Sequence, residues 1–298
     1  MKKKLSIIIP HYNSFPLLSR LIASIPEKEY IEVIVVDDYS DDFDKNIIKF
    51  KDFNHISFVK NTQSKGAGTC RNIGIDHSSG EYVLFADSDD FFVKGAFDTI
   101  HRYLSGKENE KVDVVFFKPD SCFSNNIKKP SNRHLKYVYL IDNYLNDSRM
   151  ENEIKLKYTH NVPWSKLIRR ELISINIRFD ETIVANDGMF SLRVGKAMED
   201  FLVCEETIYM VTYQENSLTT TKNYNNYKVR LMVFCDYYKS LTEDERKILG
   251  ISPLPILYTG RIYGFKAMLE SVLFFKAQSI SIFKNFRISA EKLKQLFG

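Results

Sequence analysis

The sequence predicts an α/β open sheet flanked by helices, and three observations carry that reading. Short apolar runs rich in β-branched residues recur at 5–9, 31–36, 56–59, 81–86 and 112–117, as in strands buried on both faces. Segments of helical period lie between them, so strand and helix alternate through residues 1–117. Two of the runs end in acids, Asp37-Asp38-Tyr39-Ser40-Asp41-Asp42 and Asp87-Ser88-Asp89-Asp90. Ligands of open α/β sheets sit beyond the carboxyl ends of the strands, so both clusters stand where a site belongs.

The elements follow in order. After the first run, a loop at 10–16 leads to apolar side chains at 17, 18, 21, 22 and 25, a helical period. Residues 43–50 and 96–104 read as helices, and 66–75 as a glycine-containing turn running into one. The pattern beyond 117 is less regular. Residues 120–136 are polar and rich in Lys, Asn and Ser, and are expected to form a mobile loop. Residues 167–173 and 187–198 read as helices, and the tail is mainly helical, with no internal repeat. These patterns divide the chain into a domain at 1–226, with parts 1–117 and 118–226, and a C-terminal helical region at 227–298.

A length of 298 residues suits one main domain with an appendage. A hydrophobic fraction of 44% with 27% charged residues is ordinary for a soluble globular protein. The net charge of +4 is too small to argue for a nucleic-acid partner. The basic excess sits at 256–298, with seven Lys/Arg against two Asp/Glu. Cys70, Cys122, Cys204 and Cys235 form no CxxC pair, which speaks against a zinc site or a disulfide framework and for reduced thiols. Met1-Lys2-Lys3-Lys4 imitates the start of a signal peptide, but Pro10 ends the apolar run too early for one. No run approaches the roughly 18 apolar residues of a membrane span. The expected location is the cytoplasm.

An isolated Asp-x-Asp is usually a solvated turn. Asp87-Ser88-Asp89 differs because it ends an apolar strand, is flanked by the small residues Ala86 and Ser88, and has a second acidic strand end upstream. Carboxylates at this spacing can hold a hard cation and leave positions for phosphate oxygens. Mg²⁺ or Mn²⁺ bridging a diphosphate would neutralise the charge of a departing nucleoside diphosphate. Gly66-Ala67-Gly68 is not a dinucleotide fingerprint, since Arg71 stands at the third glycine position. No P-loop, HExxH or GxSxG pattern is present.

The blocks SIIIPHYN (6–13), EVIVVDDYSDD (32–42), GAGTCRNIGI (66–75) and GEYVLFADSDD (80–90) resemble, in order and spacing, the inverting family 2 glycosyltransferases of the GT-A fold. PWSKLIRRELI (163–173) and RFDETIVANDGMF (178–190) resemble the acceptor half of the bacterial members, so the resemblance covers residues 4–220. It implies a GT-A-like open mixed sheet with a C-terminal helical appendage. Pro10 and Tyr12 match positions lining the base and ribose, and Asp38 matches the residue that bonds the uracil ring. Arg71 matches a basic residue near the donor, preceded by Cys70 where the family usually has Ala. Asp87 falls on the ribose, Ser88 within the same donor site, and Asp89 on the ligand of Mn²⁺ or Mg²⁺. The diphosphate and water fill the remaining positions of the metal.

An inverting transfer needs one carboxylate to take the proton of the acceptor hydroxyl. The family places it in a Glu-Asp pair opening a helix; here the pair is Asn186-Asp187. Asp187 is the expected base and Asn186 a helix N-cap. The plainer alternative is that Asp187 only stabilises the first turn. The Glu-to-Asn departure leaves the first position without an assigned catalytic role. Trp164 and Lys166 match the acceptor block, and the single Trp either stacks on a sugar or packs in the core. In the tail, Arg261, Lys266, Lys276, Lys284 and Arg287 interleave with aromatic and apolar residues. That tail is either a helix docking on anionic lipid or a helical appendage packing on the domain.

The resemblance thus implies transfer from a nucleotide-sugar, a UDP-hexose or UDP-HexNAc, to a hydroxyl of a glycan or lipid-linked glycan. The pathway implied is capsule, O-antigen or lipooligosaccharide synthesis, at the inner face of the plasma membrane. Two alternatives stand beside it. A nucleotidyltransferase would carry a Gly- and Lys-rich loop where Pro10-His11-Tyr12-Asn13-Ser14 stands. A non-catalytic GT-A-like assembly subunit is opposed by the presence of Asp87, Asp89 and Asp187.

Overall fold

A computed structural model describes residues 3–51, 53–62, 66–106, 112–173, 176–214 and 223–282. The chain divides into two compact units, Met1–Thr221 and Lys222–Gly298.

The first unit runs β1 (Leu5–His11), α1 (Phe15–Ala23), β2 (Ile31–Asp37), α2 (Phe43–Ile47), β3 (Ile56–Lys60), α3 (Ala67–His77), β4 (Tyr82–Phe85), β5 (Phe91–Phe92) and α4 (Ala96–Ser105). It continues with β6 (Val114–Phe123), β7 (Asn126–Pro130), α5 (Leu135–Asn146), α6 (Met150–Thr159), β8 (Lys166–Arg169), α7 (Arg170–Ile173), α8 (Asn186–Ala197) and β9 (Phe201–Tyr213). Among the described residues the strands form one mixed sheet in the order β3-β2-β1-β4-β8-β6-β9-β5, with β7 on β6. The first four strands are parallel, and β8 is antiparallel to both β4 and β6.

Successive strand residues face opposite sides of the sheet. Leu5, Ile7 and Ile9 of β1 join a core with Phe15 and Leu18 of α1 and Phe97 and Ile100 of α4. Ile8 joins a second core with Ile75 of α3, Leu156 of α6, and Phe190 and Val194 of α8. Both faces are covered, so the strands read as unbroken apolar runs. On the second face α3 lies close to the sheet: a Cβ at Gly74 would stand 2.3 Å from Ile8 Cγ2.

Two expectations change. Residues 120–136 are not a loop: β6 runs on to Phe123 and turns back into β7, pairing Cys122 with Pro130, while its other edge pairs with β9 as far as Phe123↔Tyr213. The alternation of buried Pro119 and Ser121 with half-buried Lys118 and Asp120 is a strand period that the polar composition hid. Residues 167–173 are not one helix. Leu167 and Ile168 belong to β8, whose insertion between β4 and β6 buries them on both faces, and only Arg170–Ile173 is helical.

The second unit contains α9 (Tyr224–Ser240), α10 (Glu243–Leu249), α11 (Leu254–Gly260) and α12 (Phe265–Ala277). Its core joins Leu231, Cys235 and Tyr238 to Phe275 and Ile280. Asn223 caps α9, and a capping box of Thr242 and Glu245 opens α10. Helix α12 buries Ala267, Ser271 and Phe275, and its opposite side exposes Phe265, Leu269 and Leu273. Lys284 and Arg287 lie outside the described residues. No helix among the described residues is long and apolar enough to cross a membrane.

Candidate active site

The site is built at the carboxyl ends of β1, β2 and β4. Asp87, Ser88 and Asp89 follow β4 directly, and the buried Asp90 anchors them. Asp90 accepts the Thr212 N–H at 2.7 Å and a hydrogen bond from the Tyr209 hydroxyl. That hydroxyl in turn accepts the Asp87 N–H at 2.8 Å. Burial, with the charges of Asp89 and Asp87, raises the Asp90 carboxyl well above the usual range. Burial and the Asp87 charge push Asp89 up to about 6. The Asp89 carbonyl accepts from Thr212 Oγ1 at 2.7 Å and from Arg20, and its carboxylate accepts from Gln214 Nε2 at 3.3 Å.

At the neighbouring strand ends, Asp37 is structural. It pairs with His11 Nδ1 at 2.8 Å and accepts the Ser40 N–H at 2.8 Å. These bonds hold its carboxyl below the usual value despite burial, which works the other way. Asp38 accepts from Asn61 Nδ2 at 3.0 Å and from the Gly66 N–H at 2.9 Å, so it fixes the entry to α3. Pro10 lies buried in β1 opposite Val36, while Tyr12 is 56% exposed. Ser14 and Ser88 meet at 3.0 Å between their hydroxyl oxygens, tying the loop after β1 to the one after β4.

Arg71 gathers the rest. Its Nη2 donates to Asp87 Oδ1 at 2.6 Å, and its Nη1 donates to Asp187 Oδ1 at 2.7 Å and Asn186 Oδ1 at 3.1 Å. The guanidinium is buried, while the two carboxylate side chains are 32% and 34% exposed. Helix α8 reaches this point because α3 lets it: a Cβ at Gly68 would stand 2.5 Å from the Asp180 carbonyl and 3.0 Å from Asn186 Cβ. Asn72 clamps the same segment, donating to the Phe179 carbonyl at 3.0 Å and accepting the Phe179 N–H at 2.9 Å.

The expected N-cap role of Asn186 is not met. Ala185 occupies the cap with a left-handed φ of 62° and Asn186 is the first helical residue. Its amide is committed to Arg71 and to the Thr182 carbonyl at 3.2 Å. Asp187 stands in the first turn, where the helix dipole favours its charge. Burial raises its carboxyl, and Arg71 works against that rise.

The two residues assigned to the acceptor are both buried. Trp164 is 5% exposed and stacks on Tyr209 at 5.8 Å with its edge to Tyr137, inside the first core. Its aromatic face is therefore already covered, and of the two readings the core one fits. Lys166 is 2% exposed, with Nζ donating to the His160 carbonyl at 2.6 Å and 3.4 Å from Ser191 Oγ. It lies beneath the site, out of an acceptor's reach.

Sequence reasoning missed Asp90, Tyr209, Asn72 and Gly68. Asp90, Asn72 and Gly68 stood inside the motifs at 80–90 and 66–75. Tyr209 carries no local signal, since its hydrogen-bond partners Asp87 and Asp90 lie more than 100 residues away. Of the six left-handed non-glycine residues among those described, four, Asn13, Tyr39, Ser165 and Ala185, each adjoin a residue singled out above. Such backbone is costly and gathers at functional sites.

Among the described residues no group of three or more His, Cys, Asp or Glu could by itself hold a metal ion. Any divalent ion here would draw most of its ligands from a diphosphate and water. The arrangement offers an acidic shelf at Asp87–Asp89 and, one guanidinium away, a carboxylate able to accept a proton.

The sequence model of glycosyl transferase family 2 matches residues 6–175. The GalNAc(5)-diNAcBac-PP-undecaprenol β-1,3-glucosyltransferase of Campylobacter jejuni is 29% identical over 233 residues, covering 76% of this chain and 71% of the relative. The poly(ribitol-phosphate) β-N-acetylglucosaminyltransferase TarS of Staphylococcus aureus is 36% identical over 121 residues, 39% of this chain and 21% of TarS. The crystal structure of S. aureus TarS 1–349 with UDP-GlcNAc superposes with a TM-score of 0.60 at 22% identity, over 83% of this chain and 70% of that one. The mannosyltransferase PcManGT of Pyrobaculum calidifontis, with GDP-Man and Mn²⁺, gives 0.56 at 15% identity over 100% and 79%. Both likenesses are of fold, GT-A-like with an open mixed sheet. Since the family match spans over half of the 298 residues, the chain belongs to glycosyl transferase family 2 and is a glycosyltransferase.

Proposed function

We propose that this enzyme transfers a hexose or N-acetylhexosamine from a UDP-sugar to a hydroxyl of a glycan or lipid-linked glycan, with inversion. The observation that carries this reading is the Arg71 bridge, which puts Asp87 and Asp187 on either side of one guanidinium. Donor and acceptor then meet across that side chain. Pro10 and Tyr12 line the base and ribose, Asp38 binds the base, Asp87 contacts the ribose, and Ser88 belongs to the same donor site. Asp187 takes the proton of the acceptor hydroxyl as its oxygen bonds the anomeric carbon and the bond to the diphosphate breaks. Burial makes the Asp187 carboxylate a better proton acceptor than a solvated one.

Asp89 fits a divalent cation. It is an acid whose proton affinity is raised by burial and by Asp87, so it is short of compensating positive charge. Mn²⁺ or Mg²⁺ bound there would supply charge neutralisation for the departing diphosphate.

The relatives support the chemistry. The TarS structure holds UDP-GlcNAc, and the Campylobacter relative is named for an undecaprenol-linked acceptor. Cell-surface polysaccharide synthesis is the matching pathway, with capsule, O-antigen or lipooligosaccharide as product. The sequence match covers about a fifth of the length of TarS, so the role of that protein's remainder is not carried over. The place of action is the cytoplasm at the inner membrane face. The exposed Phe265, Leu269 and Leu273 of α12, beside exposed Lys266 and Lys276, support peripheral attachment there.

Thermal unfolding with nucleotides tests the reading, since a ligand of the native state raises the midpoint. UDP with Mn²⁺ is expected to raise it, and Asp89→Ala to abolish that rise while keeping the unliganded midpoint within a few degrees. Absence of any rise with UDP, GDP or other nucleoside diphosphates would falsify the donor site.

A further inference from the structure

Lys166 is a buried ammonium that the transfer, as derived so far, does not use. It enters β8 directly after Ser165, a fully buried residue with a left-handed φ of 56°. Backbone of that kind is costly for a non-glycine residue. The Lys166 side chain runs inward. Its ammonium meets the His160 carbonyl at 2.6 Å and Ser191 Oγ at 3.4 Å, and stands 5.6 Å from the Phe116 ring centroid. Ser191 is four residues after Asp187 on α8, and hence on the same helical face. The ammonium is thereby wedged between β8 and the opening turns of the helix that presents the base.

Burying a charge without a counter-charge is expensive. Among the described residues no carboxylate lies within ion-pair distance of Lys166, and the acid with which it interacts electrostatically is Asp187. The groups facing Asp187 are Arg71 from α3, Asp87 from the end of β4, Lys166 from β8 and Tyr137 from α5. Arg71 and Lys166 favour the carboxylate, while burial and Asp87 disfavour it. Arg71 is shared with Asp87, but Lys166 is not shared with another acid. His160 does not compete, because burial and the nearby Lys166 charge keep its ring neutral.

We propose that Lys166 is a positioning residue for the transfer: its buried ammonium, held against Ser191 one turn after Asp187 on α8, steadies the start of that helix and the charge of the Asp187 carboxylate that receives the acceptor's proton. The inference rests on Asp187 being the base. Lys166 itself is pushed down to about 7 by burial, so its ammonium carries full charge below that pH.

The test is the pH profile of kcat/KM for hydrolysis of UDP-glucose and of UDP-GlcNAc, with water as acceptor. Lys166→Met should move the acid limb upward by about one unit, lower kcat, and leave the KM for the donor within twofold. An unmoved limb, with Asp187→Asn inactive, overturns this inference and leaves the base reading intact. An Asp187→Asn enzyme that keeps its rate overturns the base reading, and this inference with it. A second measurement survives misfolding of the Lys166 variant. The titration of the Lys166 ammonium, followed by ¹⁵N-lysine NMR, should fall in Asp187→Asn relative to wild type. An unchanged titration means that the two groups are uncoupled and overturns the proposal.

Discussion

Asp87 and Asp187, 100 residues apart in sequence, are held by the two ends of one guanidinium: Arg71 Nη2 lies 2.6 Å from the first and Nη1 2.7 Å from the second. A fork of fixed geometry can span two carboxylates, whereas a lysine ammonium is a single point. Arg71→Lys is therefore expected to lower kcat/KM by tenfold or more with only a modest drop in Tm. Arg71→Met should cost about 2 kcal/mol, below the figure for a wholly buried pair because water still reaches both carboxylates. Steady-state kinetics and denaturant titration check both. An Arg71→Lys enzyme of full activity would show that the bridge is not needed.

Trp164 packs between Tyr137 and Tyr209 in the core. Trp164→Ala should destabilise the fold by about 3–5 kcal/mol. Trp164→Phe should lose less and leave the KM for acceptor unchanged, as measured with whichever acceptor supports transfer. A large rise in acceptor KM at unchanged Tm would return the ring to the sugar site.

Lys166 also makes a prediction for stability. Its folded value of about 7 lies below the ordinary lysine value of 10.5. Below pH 7 both folded and unfolded chains carry the charge, and its burial opposes folding in full. Between pH 7 and 10.5 the unfolded chain binds more protons, so this group's opposition fades as pH rises. Lys166→Met has no such charge to bury. The Tm of wild type relative to Lys166→Met should thus rise from pH 6.5 to pH 9, read by calorimetry in matched buffers. A constant difference would mean that Lys166 is not desolvated.

The exposed side of α12 predicts lipid binding. The chain should sediment with phosphatidylglycerol vesicles and not with phosphatidylcholine vesicles. Phe265→Glu with Leu269→Glu should weaken that binding by tenfold or more and leave UDP-sugar hydrolysis unchanged. These side chains are 81% and 49% exposed, so folding should tolerate the change. Equal binding by the double variant would remove this face from the membrane.

The sequence by itself determined the central strands and the acidic ends of β2 and β4. Strands covered on both faces must be apolar throughout, and that demand is written in consecutive residues such as those of β1. The resemblance of the blocks at 66–75 and 178–190 to family 2 also marked Arg71 and Asp187. What only the tertiary structure decided is what those residues touch. Lys166 and Trp164 sit in a block that matched an acceptor site, and β8's insertion between β4 and β6 turned both inward. The same insertion made strand of what read as helix, because hydrogen bonds to two neighbours outweigh a weak local period. Asp90 and Tyr209 steady the Asp87 shelf across a separation of more than 100 residues. Periodicity reports the environment of a segment. The partner of a buried polar group is fixed only when distant segments pack and leave it one place to bond.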